Sequence, residues 1–228
     1  MKVKQEVLDS APEVEMGEAN RLFLDISSTA TGYCVASFSG RTCTISRFGV
    51  MWFPADVPNG QKYYQLQQAV GEFYTVNAVT DIIYESYHVN PNQVGNSLVV
   101  PEMIGAMKAA CHDVFGMPIS YQESSPTDWR GRLGIKPIKT PKIDKNGNQV
   151  LSGKSRRPAF DRDYKTPTKD LVNSIIPNAI PDKLISNITG NARSTPSDIY
   201  DAVAICLSWH KKFGCDQFIL KDGALDGV

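Results

Sequence analysis

No apolar run in this sequence approaches the roughly 18 residues that a membrane-spanning helix needs. Nor does the N-terminal stretch carry the apolar core of a secretory leader. Residues 1–20 set Glu6, Asp9, Glu13, Glu15 and Glu18 against Lys2 and Lys4, and read as a mobile acidic tail. The five cysteines, Cys34, Cys43, Cys111, Cys206 and Cys215, form no Cys-x-x-Cys pair and leave one thiol over. That argues against a disulfide framework and for a reduced, cytoplasmic setting. Gly (17) and Pro (14) are near average usage, which excludes collagen-like and low-complexity chains. There is no internal repeat and no second-domain boundary. The 228 residues suffice for one domain with a full core.

Net charge is absent only in the sum, because 24 basic and 24 acidic residues cancel over the whole chain. Residues 130–169 hold twelve cations against three anions, Asp144, Asp161 and Asp163. A basic segment inside an otherwise acidic chain reads either as a polyanion-binding surface or as a solvated loop.

Arg21–Ile26 is an apolar run with one acid near its end, the pattern of a buried central strand. Tyr33–Ser39 and Arg41–Val50 read as a hairpin about Ser39-Gly40. Tyr63–Val79 has helical spacing, Asp81–Ser86 is a second apolar strand, and Leu98–Phe115 is a long helix closed by Gly116. A short strand at Met117–Gln122 precedes a short helix at Ser125–Leu133, capped by Ser125 or Thr127. Lys136–Lys165 lacks core-forming content, and its Asp144-Lys145-Asn146-Gly147 is suited to turn a projecting hairpin. Thr168–Ile176 resumes helical spacing, and a last helix runs from Ser197 to about Phe213. These elements amount to a mixed α/β sandwich with a three-layer core. The expected division is an acidic tail over 1–20, one domain over 21–213 with a basic insertion at about 136–164, and a C-terminal tail over 214–228.

Four acids stand out by their neighbours. Asp25 lies in Leu22-Phe23-Leu24-Asp25-Ile26 and Glu85 in Ile82-Ile83-Tyr84-Glu85-Ser86, where burial is costly unless the carboxylate is paired or metal-bound. Asp198 and Asp201 are three apart and share one face of the last helix. A lone strand-end Asp is usually structural, and Asp198 would favour a helix start in any case. Taken together, four converging carboxylates repel one another, and divalent cations are the usual remedy. All-oxygen ligands favour Mg²⁺ or Mn²⁺ and suit two-metal phosphodiester hydrolysis.

Leu24-Asp25-Ile26-Ser27-Ser28-Thr29-Ala30-Thr31-Gly32-Tyr33 resembles the opening motif of the RuvC-like Holliday-junction resolvases. Glu85 resembles their strand-borne Glu, and Asp198-x-x-Asp201-Ala202-x-Ala204-Ile205 resembles their C-terminal helix. Asn96–Ala110 resembles their long helix, with Gly105 at its glycine. The match spans roughly residues 21–213 with a gap at the basic segment. The Pro-Gly that often follows the first Asp is Ile26-Ser27 here, which puts the geometry of that turn in question. The insertion and the acidic tail resemble divergent phage- or virus-encoded members, for which the setting would be a host cytoplasm.

The resemblance implies an RNase H-like three-layer α/β fold, with a mixed central sheet flanked by helices. It further implies a homodimer with two active sites, two Mg²⁺ ions per site (Mn²⁺ substituting), and paired nicks across four-way DNA junctions. The products would carry 5′-phosphate and 3′-hydroxyl ends. Asp25, Glu85, Asp198 and Asp201 would hold the metal. Lys165, with Arg130 as second choice, would stabilise charge at the scissile phosphate. Tyr87 falls where the family places a junction-inserting aromatic, with His88 beside it. Arg130, Arg132, Lys154, Arg156, Arg157, Lys165 and Lys169 would meet phosphates. Trp129 and Trp209 read as core or semi-buried. Met103, Ile104, Met107 and Cys111 read as core or, by resemblance, as dimer seam.

Other functions share parts of this pattern. A broader branched-DNA or flap endonuclease, or a transposase-like enzyme of the same fold, would use the same acids. A non-catalytic junction-binding protein would need only the basic segment. A sugar-kinase or actin-type ATPase would need a second glycine-rich phosphate loop and more chain.

Overall fold

The computed structural model describes residues 19–87, 98–113, 119–152, 157–186 and 191–225. His88, Lys154, Arg156 and nearly all of the acidic tail lie outside the described residues. Strands β1 (Asn20–Asp25), β2 (Ala30–Ser39) and β3 (Thr42–Trp52) form an antiparallel meander. Helix α1 (Asn59–Asn77) returns the chain so that β4 (Val79–Glu85) lies parallel to β1. Helix α2 (Val99–Asp113) does the same for β5 (Ser120–Ser124), parallel to β4. Helix α3 (Pro126–Leu133) follows, with the Ser125 hydroxyl accepting from the backbone N–H groups of Thr127 and Asp128.

The basic segment forms an arm of four short strands: β6 (Ile138–Pro141), β7 (Leu151–Ser152), β8 (Arg157–Pro158) and β9 (Phe160–Asp163). Helix α4 (Lys165–Ile175) brings the chain back, and β10 (Lys183–Ile185) pairs with β11 (Ala192–Ser194). Helix α5 (Ser197–Lys212) then crosses the sheet. The residues after it are not the tail expected from sequence. β12 (Gln217–Leu220) adds to the sheet parallel to β3, giving the order β12-β3-β2-β1-β4-β5. Its hold is long-range pairing, reinforced by the Arg41–Asp216 ion pair and by buried Ala224, none of which leaves a local periodicity to read.

Both faces of the sheet are covered, which is why β1 is apolar on both faces from Leu22 to Leu24. Leu22 and Leu24 point to one side, where α1 and α2 supply Leu66, Val70, Met103 and Met107. Phe23 points to the other, among Trp129 of α3, Val172 of α4, and Ile199 and Val203 of α5. Met103, Ile104, Met107 and Cys111 therefore pack in the core of the chain itself. Helix α5 is buried almost all round from Ile199 to Ser208, as expected for a helix clasped between a sheet and two others. All five cysteines are buried and free. Among the described residues no helix is long and apolar enough to cross a membrane.

Candidate active site

Asp25 and Glu85 end adjacent parallel strands, one step past the Leu24–Tyr84 register pair, so both carboxylates emerge at the same edge of the sheet. Across β1, Asp25 faces Gly32 of β2. A Cβ at Gly32 would lie 2.0 Å from the carbonyl oxygen of Asp198 and 2.6 Å from the amide nitrogen of Ile199. Only glycine lets the first turn of α5 settle onto β2 there, and that seat brings Asp198 and Asp201 over Asp25. The turn between Asp25 and β2, without a Pro-Gly, is closed by Thr31. Its hydroxyl accepts from the Ser27 amide (3.2 Å) and donates to the Ser27 carbonyl (3.1 Å). Lys62, buried at the start of α1, braces the same turn by donating to the Ser28 carbonyl at 3.2 Å.

The four carboxyls feel one another. Asp25 is held well above the ordinary carboxylate range, first by burial and then by the charges of Glu85, Asp198 and Asp201. Burial, then Glu85, raises Asp201 to about 7, with Arg130 and Lys165 opposing. Burial also raises Asp198, against the pull of Lys165, and raises Glu85, against Arg130 and Trp129. Asp198 stands close enough for its carboxyl to add to the upward pull on Asp25.

Glu85 has a built surround. Trp129 Nε1 donates to Glu85 Oε2 at 2.8 Å from a fully buried ring. Arg130 Nη2 lies 3.9 Å from the same oxygen, and its guanidinium sits over the rings of Trp129 (4.6 Å) and Tyr164 (4.9 Å). Trp129 reads in sequence as core or semi-buried, and the structure adds a polar role to its burial. The usable signal is that a buried indole N–H must find an acceptor.

Lys165 opens α4, where Asp163 Oδ1 accepts from the Lys165 amide at 2.8 Å, and its charge reaches Asp198 and Asp201. Other expected contacts are already engaged. Arg132 Nη1 donates to Ser208 Oγ at 2.9 Å, tying α3 to α5. Lys169 pairs with Asp182 at 2.9 Å over the Tyr200 ring. Tyr87 stands exposed two residues beyond Glu85, and Arg157 lies out on the arm.

The donor set of Asp25, Glu85, Asp198 and Asp201 is all oxygen and largely buried. By chemistry it fits hard divalent cations, which would supply the neutralising charge. Among the described residues no three acidic, His or Cys side chains yet close on one ion-sized point.

By sequence, no protein-family model and no curated protein matches this chain. Solved structures do match. Thermus thermophilus RuvC in complex with a Holliday-junction substrate aligns at TM-score 0.56 and 15% identity, over 86% of this chain and 96% of that one. The chain has a RuvC-like fold. A second Thermus thermophilus RuvC structure aligns at TM-score 0.53 and 15% identity, over 87% and 98% of the two chains. The yeast mitochondrial Holliday junction resolvase aligns at TM-score 0.53 and 11% identity, over 86% and 79%. In this RuvC-like, RNase H-like architecture a mixed central sheet is flanked by helices, and the four carboxyls gather where β1, β4 and α5 meet.

Proposed function

We propose that this RuvC-like chain is a divalent-cation-dependent endonuclease that resolves four-way DNA junctions. In this reading a homodimer makes paired, symmetric nicks with 5′-phosphate and 3′-hydroxyl ends. The observation that carries it is the convergence of Asp25, Glu85, Asp198 and Asp201, from β1, β4 and the face of α5, on the fold of the Holliday-junction enzymes. Carboxyls this costly to gather serve no packing purpose, and their mutual repulsion is the mark of a site kept for chemistry.

The four acids would hold two Mg²⁺ ions, with Mn²⁺ substituting. Bound there, such ions supply charge neutralisation for attacking and leaving oxygens in an in-line displacement. The chain's own residues have separate tasks. Trp129 fixes the Glu85 carboxylate through one oxygen and leaves the other to act. Arg130 lowers the cost of ionising Glu85 and Asp201. Lys165 stands ready to offset charge on a phosphate at the rim. Tyr87, with His88 after it, would meet the junction centre, and Lys169, Arg157, Lys154 and Arg156 its backbones. Arg132, engaged by Ser208, contributes by holding α3 in place.

The test incubates purified protein with a labelled four-way junction, a Y-fork and linear duplex, in Mg²⁺ and in EDTA. Mg²⁺-dependent paired nicks mainly in the junction are the expected result. Equal cutting of forks would make it a general branch endonuclease. Tight junction binding without cutting would leave a binding protein and end the hydrolytic reading.

A further inference from the structure

The arm is built unlike the rest of the chain. Its stem pairs β6 with β9, setting Lys139 opposite Arg162 and Pro141 opposite Phe160. Beyond the stem the chain turns at Asp144, whose Oδ1 accepts from the amides of Asn146 (2.8 Å) and Asn148 (2.9 Å). The returning segment slots between the stem's continuations. The Val150 amide donates to the Lys142 carbonyl (2.7 Å) and the Ala159 amide to the Val150 carbonyl (2.8 Å). The arm is therefore a hydrogen-bonded unit with its own geometry.

Its surface has two unspent properties. Ile143, Leu151 and Phe160 are 53%, 53% and 44% exposed, although they are apolar. Leu151 lies opposite Pro158, which shares a strand face with Phe160 and Arg162, so cations border the apolar patch. Second, Lys139, Lys142, Lys145, Arg157 and Arg162 have no ion pair among the described residues. Two of the three local acids are occupied, Asp144 by its own turn and Asp163 by the start of α4. A surface this cationic and this free of counter-charge is complementary to a polyanion. The two-stranded β6–β9 stem also has the form that a DNA groove admits.

We infer that the arm is a second DNA-binding element that lies along the duplex flanking the junction. Its lysines meet phosphates, and its apolar face rests against the groove wall. The inference rests on the proposed junction substrate and adds a requirement on it. Ile138 to Asp144, where the turn begins, spans at most about 20 Å of extended chain, or roughly six base pairs at 3.4 Å per step. Junction arms shorter than that cannot reach the tip.

The experiment compares wild type with the combined Lys139→Gln, Lys142→Gln, Lys145→Gln variant, all at exposed positions. Equal melting temperatures confirm that the fold is kept. Binding in EDTA is titrated against salt, with junction arms of about 15 and about 5 base pairs. Wild type should bind the long-armed junction roughly tenfold more tightly than the short-armed one. The variant should show no such preference, and its slope of log affinity against log salt should be shallower by about 2 to 3. Equal slopes and equal arm-length response in the two proteins would overturn the inference. Wild type that binds with the expected arm-length dependence but never cuts in Mg²⁺ would leave the arm standing and remove the nuclease reading. No binding by wild type would remove both.

Discussion

Gly32→Ala is the sharpest single perturbation the site allows. The new methyl group would lie 2.0 Å from the Asp198 carbonyl oxygen and 2.2 Å from its carbon, where ordinary contact begins near 3.4 Å. Backbone on both sides leaves no flexible side chain to give way, so the first turn of α5 must recede by more than 1 Å. That turn carries Asp198 and is followed at once by Asp201. A displacement of about 1 Å in catalytic groups costs on the order of 100-fold in rate. Overpacking should lower stability by about 1–3 kcal/mol, or roughly 3–10 °C in Tm for a domain of this size. The assay is single-turnover junction cleavage with enzyme in excess, alongside junction binding in EDTA and a thermal melt. Cleavage should fall about 100-fold while binding changes by no more than a few-fold, because no phosphate contact is touched. Gly105→Ala supplies the control. A Cβ at that α2 position meets nothing within 4 Å, and alanine there should add about 0.5–1 kcal/mol without loss of cleavage. Wild-type cleavage and an unmoved Tm in Gly32→Ala would refute the claim that close seating of α5 on β2 builds the site.

Asp25→Asn should abolish cleavage yet preserve junction binding, and should raise Tm in EDTA by removing a carboxyl whose ionisation the crowded, buried cluster opposes; weakened binding at moderate salt would count against its role as a metal ligand. Trp129→Phe keeps the ring but deletes the donor to Glu85, a hydrogen bond to a charged group worth about 1.5–3 kcal/mol. Cleavage should drop roughly 10- to 100-fold with the Mg²⁺ requirement shifted upward, and an unchanged metal titration would show that Glu85 needs no such guide. Burial against Phe38 and Phe218 pushes the His210 imidazole down to about 4. The folded state thus binds fewer protons than the unfolded one between about pH 6.5 and pH 4, and stability must fall as pH drops through that window, by about 3 kcal/mol in all. His210→Leu should flatten this component in denaturant melts run across pH; parallel curves for the two proteins would show that His210 is not its source.

The parts of the molecule legible in the sequence are those in which local pattern and global role coincide. Asp25 and Glu85 show themselves because an acid closing an apolar run is costly. The Asp198–Asp201 spacing is visible because a helix repeats nearly every four residues, and the arm's turn is visible through Asp144 and Gly147. Other features have no local trace. Gln217–Leu220 becomes a strand only by pairing with Thr42–Ile45, far back in the chain. Nothing near Trp129 announces that its acceptor is a carboxylate 44 residues earlier. Arg132 reads as a phosphate contact, yet it ties two helices, and no local pattern marks Lys62 as the brace of the turn after Asp25. In each case the partner that defines the residue is supplied by topology.

The parallel seam between β12 and β3 also protects the rest of the molecule. Without Gln217–Leu220, the Thr42–Ile45 stretch of β3 would present open N–H and C=O groups to any passing chain. Such a bare border is a template for self-association. A version of this chain stopped after α5 would keep all four carboxyls and still be prone to precipitate. Colloidal behaviour and chemistry are therefore governed by different strands of the same sheet, one at its edge and two in its interior.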